Sequence, residues 1–222
     1  MQALQLKIVL KHSRPPIWRR VLVQPDITFW DLHSIIQDLF SWEDYHLHNF
    51  ERASKRNEDR YFFEIPHENE FRDFMTAIRD PDVPKDYYFD ERKEKLSSWL
   101  TDEYPVFWYT YDFGDNWEHE IILEKHVDVP AFKLARYING KRRGMEEDSR
   151  PDGLFDCTTV IKAAEKPSSG LWHAIVEDFG EARAKKLVFR AQKEATSEAP
   201  KRILFSDPKE RYKDAQAMGM FD

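Results

Sequence analysis

Two kinds of hydrophobic periodicity divide this chain, and the boundary between them lies near residue 126. Before that point, apolar and polar residues alternate in several short segments, which is typical of strands with one buried face. After it, apolar residues recur mainly at helical spacing. Strands that precede most of the helices favour an α+β fold over a doubly wound α/β fold. We therefore expect a mostly antiparallel sheet packed by helices, with a helical C-terminal third.

The clearest alternation lies at the start of the chain. Apolar residues occupy every second position over residues 4–10, and a second strand-like segment follows at residues 17–23. Pro15 and Pro16 separate the two segments and cannot donate ladder hydrogen bonds, so we expect a hairpin with a longer loop. Further strands are expected at residues 47–52, 60–65, 106–111 and 117–125.

Residues 112–116 form the loop of a second expected hairpin. The sequence Asp-Phe-Gly-Asp resembles the magnesium motif of protein kinases, but the other kinase motifs do not precede it. Turn chemistry is one explanation, since Gly114 permits a positive φ and Asp112 and Asp115 can accept N–H groups of the loop. A ligand site is the other, because several polar side chains gather at this end of the hairpin: Asp112, Asp115, Asn116 and His119.

Helical spacing first appears at residues 29–40, where Thr28 and Asp31 have the positions of a capping box. His33 and Gln37 are expected beside the apolar stripe of this helix rather than in its centre. Further helices are expected at residues 71–78, 96–100, 158–165, 171–179, 181–195 and 208–217.

The chain has 222 residues, enough for one large domain, and 7 Trp, 9 Tyr and 16 Phe supply apolar area for a core. We expect a single α+β domain at residues 1–195, followed by a linker and a short terminal helix at 196–222. The sequence shows no secretory signal and no apolar run near the ~20 residues that cross a bilayer. Its single cysteine, Cys157, cannot form an internal disulfide. These features predict a cytoplasmic protein with no membrane partner.

A net charge of -7 and a pI near 5.7 argue against indiscriminate binding to nucleic acid. Two basic groups stand out against this charge. Arg19 and Arg20 could grip a phosphate or carboxylate, or could form salt bridges within the sheet. Residues 141–143, Lys-Arg-Arg, could contact nucleic acid from a glycine-flanked loop, although the acidic residues 146–148 follow at once. Nucleic acid is therefore one candidate partner, through this loop.

His46 and His48 are candidate metal ligands, because residues two apart on a strand point to the same face. Histidine and carboxylate ligands together suit a divalent metal. The other explanation is structural, with His48 packed against Trp42 or Trp117 and bonded to a backbone carbonyl. A third nitrogen from His119 or His33, together with Asp112 or Asp115, would complete a metal site with His46 and His48.

The strand that starts at Trp117 adds an expectation about His119. Alternate residues from Trp117 onwards, which include His119, Ile121 and Leu123, share an apolar face that should meet the core. A buried imidazole prefers its neutral form, because desolvation disfavours the charged form. We therefore expect His119 to be buried, with a pKa below its ordinary value.

Four segments of the chain together resemble the plasmid pRiA4b ORF-3-like family. The first is residues 15–21, and the second is residues 32–50, which ends in His-Leu-His-Asn-Phe. The third is residues 109–119, which contains Asp-Phe-Gly-Asp-Asn, and the fourth is residues 140–148, which contains Gly-Lys-Arg and Glu-Asp. The resemblance covers about residues 4–150. We refer to these four as the family segments.

The resemblance implies a shared fold but no settled activity, although some members are labelled as mobile-element passengers. The fourth segment departs from the family pattern, since Tyr137 stands where a cysteine is usual and Met145-Glu146 replaces paired prolines. The first hypothesis is a non-catalytic binding or interaction module, linked to mobile-element or nucleic-acid biology by family association only. The second is a metal- or carboxylate-dependent enzyme that uses His46, His48, Asp112, Asp115 and His119.

Overall fold

The computed structural model describes residues 1–53, 60–66, 84, 87–148 and 157–217. Within these ranges the chain forms an eight-stranded sheet and six helices, four of which lie in the C-terminal third. The predicted α+β class is confirmed. The helix expected at residues 71–78 lies outside the described residues.

The strands are β1 (Gln2–Leu10), β2 (Ile17–Val23), β3 (His48–Ala53), β4 (Arg60–Glu64), β5 (Tyr88–Asp90), β6 (Val106–Tyr111), β7 (Trp117–Asp128) and β8 (Ala135–Lys141). Their order across the sheet is β5-β4-β3-β6-β7-β1-β2-β8. The pairing of β4 with β5 is parallel, and the other pairings between the described strands are antiparallel. The two edges of the sheet are therefore β5 and β8.

The helices are α1 (Phe29–Phe40), α2 (Leu96–Trp99), α3 (Cys157–Glu165), α4 (Gly170–Phe179), α5 (Glu181–Ala195) and α6 (Pro208–Ala217). None of the described helices combines the length and apolar character needed to cross a membrane.

The core lies between α1 and one face of the sheet. The alternation of β1 buries Leu4, Leu6 and Ile8 on this face, and that of β7 buries Trp117 and His119 on the same side. Burying each such apolar side chain contributes about 1.5–3 kcal/mol, so the face that meets α1 is strongly specified. The predicted burial of His119 is confirmed.

The start of α1 has the predicted capping box. The Thr28 hydroxyl accepts from the backbone N–H of Asp31 at 3.1 Å, and the Asp31 carboxylate accepts from the backbone N–H of Thr28 at 2.8 Å. The expectation that His33 and Gln37 lie beside the apolar stripe was wrong, since both are fully buried. They tolerate burial because both bond the hydroxyl of Tyr109 on β6, at 2.8 and 3.0 Å.

Hydrophobic periodicity missed the two edge strands. β8, with the sequence Ala-Arg-Tyr-Ile-Asn-Gly-Lys, has little apolar alternation, and its strand conformation depends on pairing with β2. The β6–β7 loop also differs from expectation. Asp112 and Asn116 adopt positive φ values of 56° and 53°, whereas Gly114 does not adopt a positive φ. Asp and Asn tolerate this region better than most non-glycine residues.

The terminal helix α6 packs against α1. The indole N–H of Trp30 donates to the carbonyl of Pro208 at 3.0 Å, and Arg211 pairs with Asp38 at 2.8 Å. The division of the chain into a domain at residues 1–195 and a linker with a terminal helix remains a prediction.

Candidate functional site

Three of the family segments meet at one end of the sheet, beside the β6–β7 hairpin. Trp42 stacks on Tyr111 with ring centroids 5.0 Å apart, and its indole N–H donates to the carbonyl of Met145 at 2.8 Å. The backbone N–H of Asp112 donates to the carbonyl of Leu47 at 2.9 Å. The turn after α1, the hairpin and residues 142–148 therefore surround a common surface.

His46, Asp112 and Asp148 converge on that surface, and we call them the surface triad. His46 Nε2 lies 3.2 Å from Asp148 Oδ1 and 3.7 Å from Asp112 Oδ2. Two atoms that share a cation at ~2.1 Å in tetrahedral geometry lie about 3.4 Å apart, so these separations fit one cation. His46 Nε2 is shielded from solvent and has no hydrogen-bond partner among the described residues. The side chains of His46 and Asp148 are 28% and 73% exposed, which leaves the triad open on one side.

The two carboxylates of the surface triad stand on unusual backbone. Asp112 and Asp148 have φ values of 56° and 53°, a conformation that costs of order 1–3 kcal/mol for a non-glycine residue. Asp112 Oδ1 accepts the backbone N–H groups of Gly114 and Asp115 at 3.0 and 3.2 Å, while Oδ2 faces His46. One carboxylate oxygen of Asp112 thus stabilises the turn, and the other faces the triad. Turn chemistry and a ligand site, the two explanations of the loop at residues 112–116, are therefore compatible.

Tyr111 and Glu147 hold the turns that carry the surface triad. The Tyr111 hydroxyl donates to Glu147 at 2.5 Å and accepts the backbone N–H of Tyr45 at 2.9 Å. Glu147 also accepts the backbone N–H of Glu43 at 2.9 Å. Burial and the nearby Glu147 carboxylate raise the pKa of Tyr111, so this hydroxyl keeps its proton. The link fixes the turn at residues 43–46 relative to Asp148.

A second group, which we call the buried cluster, lies beneath the first. His33 Nε2 lies 2.9 Å from Asp44 and His33 Nδ1 lies 2.8 Å from the Tyr109 hydroxyl. His48 Nε2 lies 2.9 and 3.1 Å from the two oxygens of Glu91. All five residues are buried. Gln37 donates to the Tyr109 hydroxyl, which leaves the hydroxyl proton to point at His33 Nδ1.

The geometry of the buried cluster favours hydrogen bonding and proton binding at its histidines over coordination of a metal ion. The rings of His33 and His48 are stacked, with centroids 3.5 Å and planes 7° apart. Parallel rings at this distance cannot both direct an in-plane lone pair at one cation, although His33, Asp44 and His48 have suitable ligand atoms. Burial lowers the pKa of His33 to about 4. Burial also opposes charge on His48, but the Glu91 carboxylate outweighs it and raises the pKa of His48.

His119 belongs to neither group within the described part of the chain. Its Nδ1 lies 2.9 Å from the carbonyl of Trp117, and its ring packs edge-on against Phe40 and Trp42 at 4.7 and 5.3 Å. Burial lowers the pKa of His119 to about 3, in the direction expected from the sequence. The structure therefore brings His46 to the surface triad, His48 to the buried cluster and His119 to the core.

The other candidate residues of the β6–β7 hairpin, Asp115, Asn116 and Trp117, lie next to the surface triad without belonging to it. Trp117 is buried, with its ring 5.8 Å from that of Trp42. Asp115 is buried in the loop, and Asn116 closes the turn through its backbone N–H, which donates to the carbonyl of Asp112. None of these three side chains belongs to the surface triad.

The paired arginines lie on opposite faces of β2. Arg19 is fully buried and donates to the carbonyls of Leu39 and Lys141 at 2.9 and 3.1 Å. Burial lowers its pKa to about 10, so it stays charged at neutral pH. Arg20 forms a bidentate pair with Glu124 at 2.6 and 2.7 Å. The two guanidinium groups therefore do not form a common grip.

Sequence reasoning missed three carboxylates of these groups. Asp148 was noted only as part of the fourth family segment, and its role emerges from the fold that carries it to His46. Asp44 and Glu91 belong to no periodic pattern or motif. A sequence signal for Asp44 is its turn position directly after α1, where a φ of 66° favours Asp, Asn or Gly. No comparable signal marks Glu91.

Comparison with known proteins identifies the family and finds similar proteins. The family model described as Plasmid pRiA4b ORF-3-like protein matches residues 2–186. The uncharacterized protein y4hQ of Sinorhizobium fredii (strain NBRC 101917 / NGR234) is 31% identical over 122 residues, which cover 54% of this chain and 53% of that protein. The chain thus aligns with about half the length of this curated relative.

A solved structure extends the likeness to nearly the whole chain. The crystal structure of protein of unknown function MM3350 from Methanosarcina mazei Go1 has a TM-score of 0.57 and 29% sequence identity. The match covers 94% of this chain and 95% of that one. Neither relative has a name that states an activity.

Proposed function

Since this chain belongs to the plasmid pRiA4b ORF-3-like family, we propose that it is a non-catalytic binding module of that family whose ligand site is a divalent-cation centre at the surface triad. One observation carries the proposal. Three family segments, far apart in the sequence, each contribute one ligand atom, and the three atoms lie within 4.8 Å of one another. A purely structural origin for the segments would not require their polar atoms to converge at the surface.

The donor set determines the class of cation. One imidazole nitrogen and two carboxylate oxygens suit Mn²⁺, Zn²⁺ or Mg²⁺ better than soft monovalent metals. Three protein ligands leave coordination positions open on the exposed side of Asp148. An anionic oxygen of a further ligand, such as a phosphate or a carboxylate, would fill those positions. The weak link of the family to nucleic-acid biology makes a nucleic-acid phosphate one such ligand, and we also propose a cytoplasmic location.

Calorimetric titration of Mn²⁺, Zn²⁺ and Mg²⁺ into tag-free, EDTA-treated protein tests the proposal. We expect one cation per chain for at least one of these metals. His46→Gln and Asp148→Asn each remove one ligand and should weaken binding by at least roughly tenfold. Asp148 is exposed and forms no turn hydrogen bond through its carboxylate among the described residues, so its substitution should preserve the fold.

The chain offers a matched control for these variants. His126 and Asp102 also form a histidine–carboxylate pair at 3.2 Å, but this pair has no second carboxylate in the described structure. Asp102→Asn should leave cation binding unchanged. The proposal fails if none of the three metals binds, or if His46→Gln and Asp148→Asn bind as the natural protein does.

A metal-dependent enzyme is the second candidate, favoured by the open coordination positions of the triad. A cation with open positions can lower the pKa of bound water and so generate a nucleophile. The measurement is hydrolysis of bis(p-nitrophenyl) phosphate by the Mn²⁺-loaded protein. A non-catalytic module gives no turnover above buffer, whereas turnover that Asp148→Asn abolishes would replace the first candidate with the second.

A further inference from the structure

The strand β8 forms one edge of the eight-stranded sheet. β2 is its one strand partner among the described residues, so the outer side of β8 has backbone N–H and C=O groups that no described strand pairs. Such an edge is a template for another extended chain. Natural proteins often cover or shorten these edges, and the surroundings of β8 decide whether it is closed or accessible.

A groove runs along the outer side of β8. Residues 137–142 line one side and residues 197–201 line the other, with a volume of about 410 Å³ between them. Most of β8 faces solvent, and Ile138 is 40% exposed, which makes it one of the larger exposed apolar side chains. The edge is therefore accessible beside a second wall, which residues 197–201 of the same chain form.

Two arginines fix the second wall in place. Arg142 donates to the carbonyls of Ala195 and Pro16 at 3.1 and 2.8 Å. The backbone N–H of Arg143 donates to the Ser197 hydroxyl at 3.0 Å. The basic cluster at residues 141–143 thus builds the groove, because these bonds hold the segment after α5 beside β8. A preformed groove lowers the ordering cost of binding.

The groove is positively charged on a chain whose net charge is -7. Lys141 and Lys201 line it, both are exposed, and neither has a carboxylate partner within the described residues. Glu198 is the one acidic residue among those that line it. The guanidinium group of Arg142 is hydrogen-bonded to backbone carbonyls. Lys141 and Lys201 are therefore the cations of the groove that can pair with a ligand. Charge complementarity then selects an acidic partner.

The register of β8 limits how a partner strand can pair. Arg20 pairs with Asn139 and Val21 pairs with Tyr137, so Ile138 is a bulged residue. The backbone N–H of Gln24 donates to the carbonyl of Leu134, so alternate residues of β2, which include Arg20 and Trp18, bond β8 through Asn139 and Lys141. The bulge interrupts the edge, and beyond it Gly140 carries the backbone N–H and C=O that point outward beside the groove and can bond an added strand. Ile138 supplies an apolar contact at the bulge.

From these features we propose that the β8 groove docks an extended acidic peptide segment as an added strand of the sheet. Main-chain bonds form with the N–H and C=O of Gly140, and carboxylates of the segment pair with Lys141 and Lys201. An apolar side chain of the segment packs against Ile138. This proposal is independent of the cation centre, since none of its residues belongs to the surface triad.

The test uses the full chain and a peptide of about eight residues in which Glu and Val alternate. We expect saturable binding in calorimetry, with amide chemical-shift changes across residues 139–141 and slower hydrogen exchange at the outward-facing N–H of Gly140. Lys141→Glu and Lys201→Glu should each weaken binding by roughly tenfold, a value typical of a lost charge pair. Lys186→Glu, an exposed lysine on α5, should leave binding unchanged.

Three outcomes would overturn the proposal. The first is equal binding of a matched peptide in which Lys replaces Glu, because the charge argument would then be wrong. The second is a single-stranded oligonucleotide that binds the groove and displaces the acidic peptide, which would make nucleic acid the partner. The third is a dimer, seen by sedimentation, that Lys141→Glu dissociates, since a second copy would then occupy the groove.

Discussion

His33 on α1 and His48 on β3 stack face to face in the interior, with ring centroids 3.5 Å apart and an interplanar angle of 7°. Each imidazole bonds a different carboxylate, Asp44 for His33 and Glu91 for His48. Two imidazolium rings in this contact would repel each other in a low-dielectric interior. The stack is therefore stable when one ring carries a charge and the other is neutral.

The first prediction is that the two stacked histidines titrate far apart. Burial holds the pKa of His33 at about 4, whereas the Glu91 carboxylate raises the pKa of His48 above its ordinary value despite burial. Imidazole ¹⁵N shifts followed against pH should show His48 protonated at pH 6.5 and His33 neutral down to about pH 4. The urea-unfolded chain, where both should titrate near 6.5, is the reference. A common midpoint for both rings in the folded protein would contradict the prediction.

The second prediction concerns the charge partner of His48. Glu91→Gln removes the carboxylate from a fully buried pair and leaves His48 without its counter-ion. Breaking such a pair should lower the free energy of unfolding at pH 7 by about 3–5 kcal/mol. Asp102→Asn breaks the solvent-exposed pair with His126 and should cost no more than about 1 kcal/mol. Urea denaturation of both variants measures the difference, and equal costs would show that burial of the first pair is unimportant.

The third prediction concerns Gly144, whose position is set by close backbone contact. A Cβ there would overlap the Phe40 carbonyl oxygen and lie 3.2 Å from the carbonyl carbon of the same residue. Gly144→Ala should therefore destabilise the protein by about 1–3 kcal/mol, as overpacking does. It should also weaken cation binding, because residues 145–148 follow directly and carry Asp148.

Gly170 provides the matched control for this substitution. A Cβ at Gly170, the first residue of α4, would meet no heavy atom within 4 Å. Gly170→Ala should be neutral or should stabilise the protein by up to about 1 kcal/mol through lower entropy of the unfolded chain. Thermal and urea denaturation distinguish the pair of variants. An equal effect of both would mean that the approach to Phe40 does not constrain residue 144.

The elements that sequence predicted well share one physical property. β1 and β7 each bury one face, so the apolar alternation of the sequence reports these strands directly. The apolar residues of α1 also recur at helical spacing, although this helix is buried almost all round, polar residues included. β8 was not predicted, because a half-exposed edge strand shows no alternation of apolar and polar residues. The capping residues Thr28 and Asp31 were also readable, since their hydrogen bonds are local.

The candidate site was less predictable, because its contacts are long-range and polar. The sequence indicated His46 and Asp112 as candidates, and they remain candidates; the approach of Asp148 to His46 depends on a contact 102 residues away along the chain. His48 looked equivalent to His46 on a strand of period two. The two diverge because β3 begins at His48, so His46 lies in the preceding turn rather than on the strand face.

The last prediction follows from the burial of His119. The pKa of His119 is about 3 in the folded protein and close to 6.5 in the unfolded chain. Below pH 6.5 the unfolded chain therefore binds a proton at His119, whereas the folded protein does not bind it until the pH approaches 3. Because of His119, the free energy of unfolding does not change with pH above pH 6.5. It decreases progressively as the pH falls from 6.5 towards 3. At pH 5 the loss should be about 2 kcal/mol, at 1.36 kcal/mol for each pH unit.

His119→Gln tests this sign directly, because glutamine does not titrate and its amide can still donate to the carbonyl of Trp117. At pH 8 the variant should be less stable than the natural protein by about 1–3 kcal/mol, the cost of a disturbed buried hydrogen bond. At pH 5 the gap should shrink by about 2 kcal/mol. His33 titrates in the same direction and His48 in the opposite one, but both are present in the two proteins, so their effects cancel in the gap. A gap that stays constant from pH 8 to pH 5 would show that His119 is not buried as a neutral imidazole.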